Sequence, residues 1–65
     1  MWLTIKFGNP DTGVIDSSVC DTKVLALRVA CAKLAAGFRI YEIRWANDAL
    51  FMNEQQITEY CKKPV

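Results

Sequence analysis

The stretch from Asp21 to Trp45 constrains the fold of this 65-residue chain more than any other. Asp21 to Ala36 repeats apolar residues at helical spacing, Gly37 interrupts the pattern, and Phe38-Arg39-Ile40-Tyr41-Glu42-Ile43-Arg44-Trp45 then alternates like a strand. A helix stopped by glycine and followed at once by a strand lays that strand back beside the helix. The unit therefore fixes the centre of an α+β fold. It carries no chemistry of its own.

Length sets the next bound. A chain this short makes one domain with one small core, so residues 1–65 are read as a single compact α+β domain. Such cores usually need a disulfide, a metal or a partner to become robust. The chain has no histidine, and Cys20, Cys31 and Cys61 are scattered without a CxxC or CxxxC pair, which argues against a structural zinc site. An odd number of cysteines fits poorly with a secreted disulfide framework. The expectation is a reducing, cytoplasmic compartment in which the cysteines act as small apolar side chains.

No segment joins a basic start to a long apolar run, so no signal peptide is expected. The most apolar stretch, Val24 to Ala36, is interrupted by Arg28 and Lys33 and is too short to span a bilayer, so no membrane partner is expected. Eight basic and seven acidic residues are spread along the chain for a net charge of +1. That balance gives no bulk attraction for nucleic acid or anionic lipid, and no dense acidic face.

At the amino end, Trp2-Leu3-Thr4-Ile5-Lys6-Phe7 alternates with Leu3, Ile5 and Phe7 on one face. Gly8-Asn9-Pro10-Asp11-Thr12-Gly13 is a turn-rich connection to a short, polar second strand over Val14 to Val19. The main helix starts near residue 21, with Ser18 or Asp21 as its cap. Around it, Val24, Leu27, Cys31, Leu34 and Ala35 form one apolar stripe, and Leu25, Val29, Ala32 and Ala36 form a second beside it. Thr22, Lys23, Ala26 and Lys33 are left to face water, and Arg28 falls between the stripes. A sheet covering one stripe and the carboxyl-terminal segment covering the other accounts for this pattern. Alternatively, the stripe of Leu25, Val29, Ala32 and Ala36 is a self-association surface in a homodimer.

Beyond Gly37, the alternation places Tyr41, Ile43 and Trp45 inward and Ile40, Glu42 and Arg44 outward. After the break at Ala46-Asn47-Asp48-Ala49, Leu50-Phe51-Met52 suits a hairpin return. Asn53 is a cap for a second helix over Glu54 to Lys62, with Ile57, Tyr60 and Cys61 on one face and Pro64 as its stop. The predicted order is ββαβ(β)α, a small antiparallel sheet with one main helix packed on it.

Without histidine, Ser-His and Cys-His nucleophile arrangements are impossible within one chain, and the carboxylates sit in no pattern that pairs them for acid-base work. Gly8 and Gly13 bracket a turn but no Lys-Ser or Lys-Thr pair follows, so no phosphate cradle is present. The reading is a non-enzymatic protein that needs no cofactor or metal. A nucleic-acid module is the alternative, with Lys6, Arg39, Arg44 and Trp2 on the sheet, although Glu42 lies between the two arginines.

Two strands, a helix and a third strand, joined through Ala36-Gly37-Phe38 and ending in Ile43-Arg44, give the chain a further likeness. Over Asp21 to Arg44 it resembles the small podophage inhibitors of host RNA polymerase. The resemblance implies a non-enzymatic phage protein that sterically blocks a host bacterial complex, polymerase or a defence system, in the bacterial cytoplasm. Those inhibitors hold the polymerase jaw through arginines on the last strand and acidic residues on its neighbour. Arg44 matches one such arginine, Glu42 stands where another is expected, and the segment after Ala46 is additional. The candidate partner-binding residues are Trp2, Lys6, Glu42 and Arg44, an aromatic anchor among charges on the outer sheet face.

Overall fold

The structure is a computed structural model and describes residues 1–62. Strands β1 (Leu3–Gly8) and β2 (Ile15–Cys20), helix α1 (Lys23–Ala35), strands β3 (Arg39–Trp45) and β4 (Leu50–Asn53) and helix α2 (Glu54–Lys62) follow in that order. The strands form one antiparallel sheet ordered β2-β1-β3-β4. Both helices pack on the same face of it, α1 over β1, β2 and β3, and α2 over β3 and β4 beside α1. The α+β class and the order ββαββα are those read from the sequence.

Local chemistry explains each junction. In the β1–β2 connection, the Asn9 side-chain oxygen accepts from the amides of Asp11 (2.8 Å) and Thr12 (3.3 Å), and Gly13 supplies the positive φ of 74° that closes the loop. Thr22, rather than Ser18 or Asp21, caps α1: its hydroxyl accepts from the Leu25 amide at 3.1 Å. Ser18 is unavailable because the strand runs through it to Cys20. At the other end Gly37 has φ 96°, its amide donates to the Leu34 carbonyl, and Phe38 donates to that of Lys33. This Schellman arrangement turns the chain straight into β3. Asn53 and Gln56 cap α2 reciprocally, each side chain accepting from the other's amide at 2.8 and 2.9 Å. The expected stop at Pro64 lies outside the described residues.

The core consists of Leu3, Ile5, Cys20, Ala26, Ala30, Ile40, Ile43 and Ile57. Three expectations about the main helix and its packing are overturned. Ala26 does not face water; with Ala30 it is fully buried, because these small residues let the helix backbone approach the sheet closely. Val24 moves the other way and is 62% exposed. The C-terminal helix does not cover the second stripe of α1: Leu25, Ala32 and Ala36 remain exposed and Val29 is half-buried.

Strict alternation also fails in β3. Ile40 and Ile43 are both buried, which an uninterrupted strand forbids. Lys6 pairs with Glu42 and Phe7 with Ile40, so Tyr41 is the extra residue of a bulge and resets the alternation. Tyr41 therefore does not pack inward; its ring lies over Gly8 and 6.0 Å from the Lys6 ammonium on the open face.

Two cysteines are not simple packing groups. Cys31 on α1 and Cys61 on α2 are joined in a disulfide that bridges 30 residues, while Cys20 is free and buried. With two of the three paired, the inference of a reducing compartment loses its ground. No helix among the described residues is long and apolar enough to cross a membrane.

Candidate functional site

With both helices on one face, the other face of the sheet is left open. An open groove of about 420 Å3 runs across it. Trp2, Lys6, Glu42 and Arg44, the four residues singled out from the sequence, all line it. Asp48 in the β3–β4 turn adds to its polar rim and Asp16 borders it at the β2 edge; neither was anticipated. Neither sits in a patterned stretch; each reaches the groove only because β2 and β3 flank β1.

Position on β1 accounts for Lys6, and cross-strand pairing sets Glu42 opposite it. Arg44 is held on two sides. Its guanidinium donates to both carboxylate oxygens of Glu42 and, through Nη1, to the Asp48 carbonyl at 2.8 Å. Asp48 reaches this position in a left-handed conformation, φ 71°, that aspartate tolerates in a three-residue hairpin loop. The Asp48 carboxylate lies 4.0 Å from Arg44. Trp2 is 47% exposed at the groove's end, and its carbonyl accepts from Ala46 at 3.0 Å.

The Arg44 hydrogen bond, chiefly, holds the Glu42 carboxyl below the usual carboxylate range, and the charges of Arg44 and Lys6 add to the effect against partial burial. A lowered folded-state pKa means that the pair's contribution is complete above the unfolded carboxylate pKa and disappears as pH falls through the folded one. NMR titration of the Glu42 side chain should give a midpoint below that of an unfolded glutamate. In Arg44→Ala that midpoint should rise; an unchanged midpoint would mean that the ion pair does not form in solution.

Electrostatics separate the two sequence-derived readings of this face. Among the described residues Lys6 and Arg44 are the groove's cations, and Glu42 and Asp48 balance them, with Asp16 at the β2 edge, so the lining is not basic. Arg39 does not join it. Its guanidinium is engaged at 2.8 and 3.2 Å by both carboxylate oxygens of Glu54, tying the start of β3 to the start of α2. A surface that tracks phosphates needs uncommitted cations, and both arginines proposed for that role are neutralised within the chain.

The self-association candidates lie elsewhere. Leu25, Val29, Ala32 and Ala36 run along a flank of α1 on the opposite layer from the groove. Nor does Cys20 suit nucleophilic chemistry: burial, and then the neighbouring Asp21 charge, push its thiol pKa up, the reverse of what a reactive thiolate requires.

Fold and site together define a two-layer α+β domain with one helix-covered sheet face and one open, grooved face. Comparison of the chain with protein-family models, with curated proteins and with solved structures finds no match.

Proposed function

We propose that this protein is a non-enzymatic binding module that docks the open face of its sheet onto another protein and acts by steric block. The observation that carries this reading is the convergence of Trp2, Lys6, Glu42 and Arg44 on one groove. An exposed tryptophan beside an arginine already fixed by Glu42 and the Asp48 carbonyl offers a preorganised anchor, so little side-chain freedom is lost on binding. Mixed charge in the groove favours a protein surface of alternating sign over a polyanion.

The partner class follows from the likeness of Asp21 to Arg44 to phage inhibitors of host RNA polymerase: a host bacterial complex, polymerase or a defence assembly. A bacterial cytoplasmic site of action goes with the reduced form of Cys31 and Cys61, and an oxidising space with the disulfide.

The test is capture from nuclease-treated bacterial lysate with tagged protein, followed by an activity assay of the captured complex. A stoichiometric host complex inhibited by added protein is expected, with Trp2→Ala and Arg44→Ala each weakening binding by about 30-fold while circular dichroism stays native. Undiminished binding by both folded variants would remove the groove from the interface. Recovery of nucleic acid alone, from untreated lysate, would replace the protein partner with the polyanion reading.

A further inference from the structure

Among the described residues the β2 edge of the sheet is only lightly guarded, by the single charge of Asp16. Natural edge strands are usually protected by lysine, proline, a bulge or a covering loop. β2 has no lysine or proline over Ile15–Cys20, and its register with β1 is unbroken from Leu3↔Cys20 to Gly8↔Ile15. The opposite edge, β4, is shorter and carries an irregularity: Ile43 pairs with Met52 and Arg44 with Leu50, which leaves Phe51 as the extra residue.

The hydrogen-bond phase of β2 can be read from the hairpin. The Asn9 amide donates to the Val14 carbonyl at 2.9 Å, which extends the β1–β2 register by one step as a bonded pair. Bonded and non-bonded pairs alternate in an antiparallel ladder, so Asp16, Ser18 and Cys20 face β1 while Ile15, Ser17 and Val19 turn their backbone groups to the free edge. The Ser17 amide confirms this direction, since its partner is the Asp16 side chain at 2.8 Å rather than β1. An incoming strand would replace that local bond. The same three residues lie opposite Gly8, Lys6 and Thr4, which places their side chains on the open face; Ile15 is 53% and Val19 65% exposed.

We propose that β2 pairs antiparallel with β2 of a second copy of this chain about a two-fold axis at Ser17, making one continuous sheet. The strand is complementary to itself in this register. Ser17 faces the second copy's Ser17, and Ile15 faces its Val19, so that every edge-facing residue exchanges backbone bonds and two apolar cross-strand pairs form. Asp16, the strand's one charge, lies opposite Ser18. A slide of two residues one way would set Asp16 against Asp16, and the other way would carry Ile15 past the strand to Asp21. This self-match distinguishes a second copy from a foreign peptide as the occupant.

The helical layer agrees. Ala26 and Ala30 point α1 at the sheet, and the Cys31–Cys61 bond marks the side facing α2. At about 100° per residue, Leu25, Val29, Ala32 and Ala36 fall on the remaining flank, away from α2. Because α2 sits over β3 and β4, that flank is the one toward β2. Leu25, 42% exposed, therefore borders the same edge. The two grooves, whose walls include Ile15, Asp16 and Ser17, would adjoin across the axis. The pairing does not depend on what the grooves bind.

Sedimentation equilibrium at concentrations up to about 0.5 mM tests the proposal. The expected result is the mass of two chains for the wild type, and half that mass for Val19→Lys with an unchanged circular dichroism spectrum. Oxidised Ser17→Cys should give a covalent dimer linked through position 17, whereas Ser18→Cys, facing Asp16, should not. A wild type that stays monomeric, or equal cross-linking at positions 17 and 18, overturns the inference. So does a dimer that survives Val19→Lys but is lost in Leu25→Glu, which would assign self-association to the helix flank alone.

Discussion

Replacing Cys31 and Cys61 with serine should lower stability by about 3 kcal/mol, and chemical denaturation of the purified oxidised protein and the double variant should show it. The bond joins residues 30 apart. Cross-linking over that span removes loop-closure freedom from the unfolded chain, which for such lengths amounts to about 3–4 kcal/mol. In a domain this small, that shifts the melting temperature by about 12–25 °C. The effect should be focused on α2. Apart from the disulfide, this short helix is held by buried Ile57, the Asn53–Gln56 cap and the exposed Arg39–Glu54 pair. Hydrogen exchange in the serine variant should therefore rise first in residues 54–62, with β1 and β3 opening later. Uniform loss of protection would mean that α2 and the sheet unfold as one unit and that the bond clamps the whole domain.

Ile43→Ala should be comparably damaging, by about 2–5 kcal/mol. Ile43 is fully buried in β3, pairs with Ile5 and Met52 on the flanking strands, and lies beneath the helices. Truncation leaves a cavity that a close-packed two-layer core cannot collapse around. Arg44, the next residue, points to the other face, and Arg44→Ala should leave the urea midpoint almost where it was. The contrast tests the facing of β3 directly. Similar midpoints for the two variants would show that Ile43 is not enclosed as described.

These two residues illustrate how much could be read from the chain. Alternation in β1, the glycine stop at Gly37, the Asn53 cap and the order of elements were all legible because each depends on neighbours a few positions away. Ile43 inward and Arg44 outward were legible for the same reason. Tyr41 was not, because its bulge arises from how β3 pairs with β1, and nothing local announces the extra residue. Ala26 was misread because hydrophobic patterning rewards large side chains, whereas the contact between α1 and the sheet selects small ones. Cys31 and Cys61 look unrelated in sequence; only the packing of α2 beside α1 brings their Cα atoms to 5.3 Å. The groove was partly legible. Four of its residues follow from alternation on β1 and β3, while Asp16 and Asp48 needed the strand order.

The strand order also has a consequence for how the molecule is made. β1 is synthesised before the other strands of the sheet, yet it ends as an inner strand, with Leu3 paired both to nearby Cys20 and to distant Trp45. During translation the β1–β2 hairpin can close early, but the far side of β1 keeps its apolar, hydrogen-bonding edge bare until β3 has emerged. Chaperones that shield nascent chains would meet this domain through the bare edge of β1, and a ribosomal pause between α1 and β3 would lengthen that exposure.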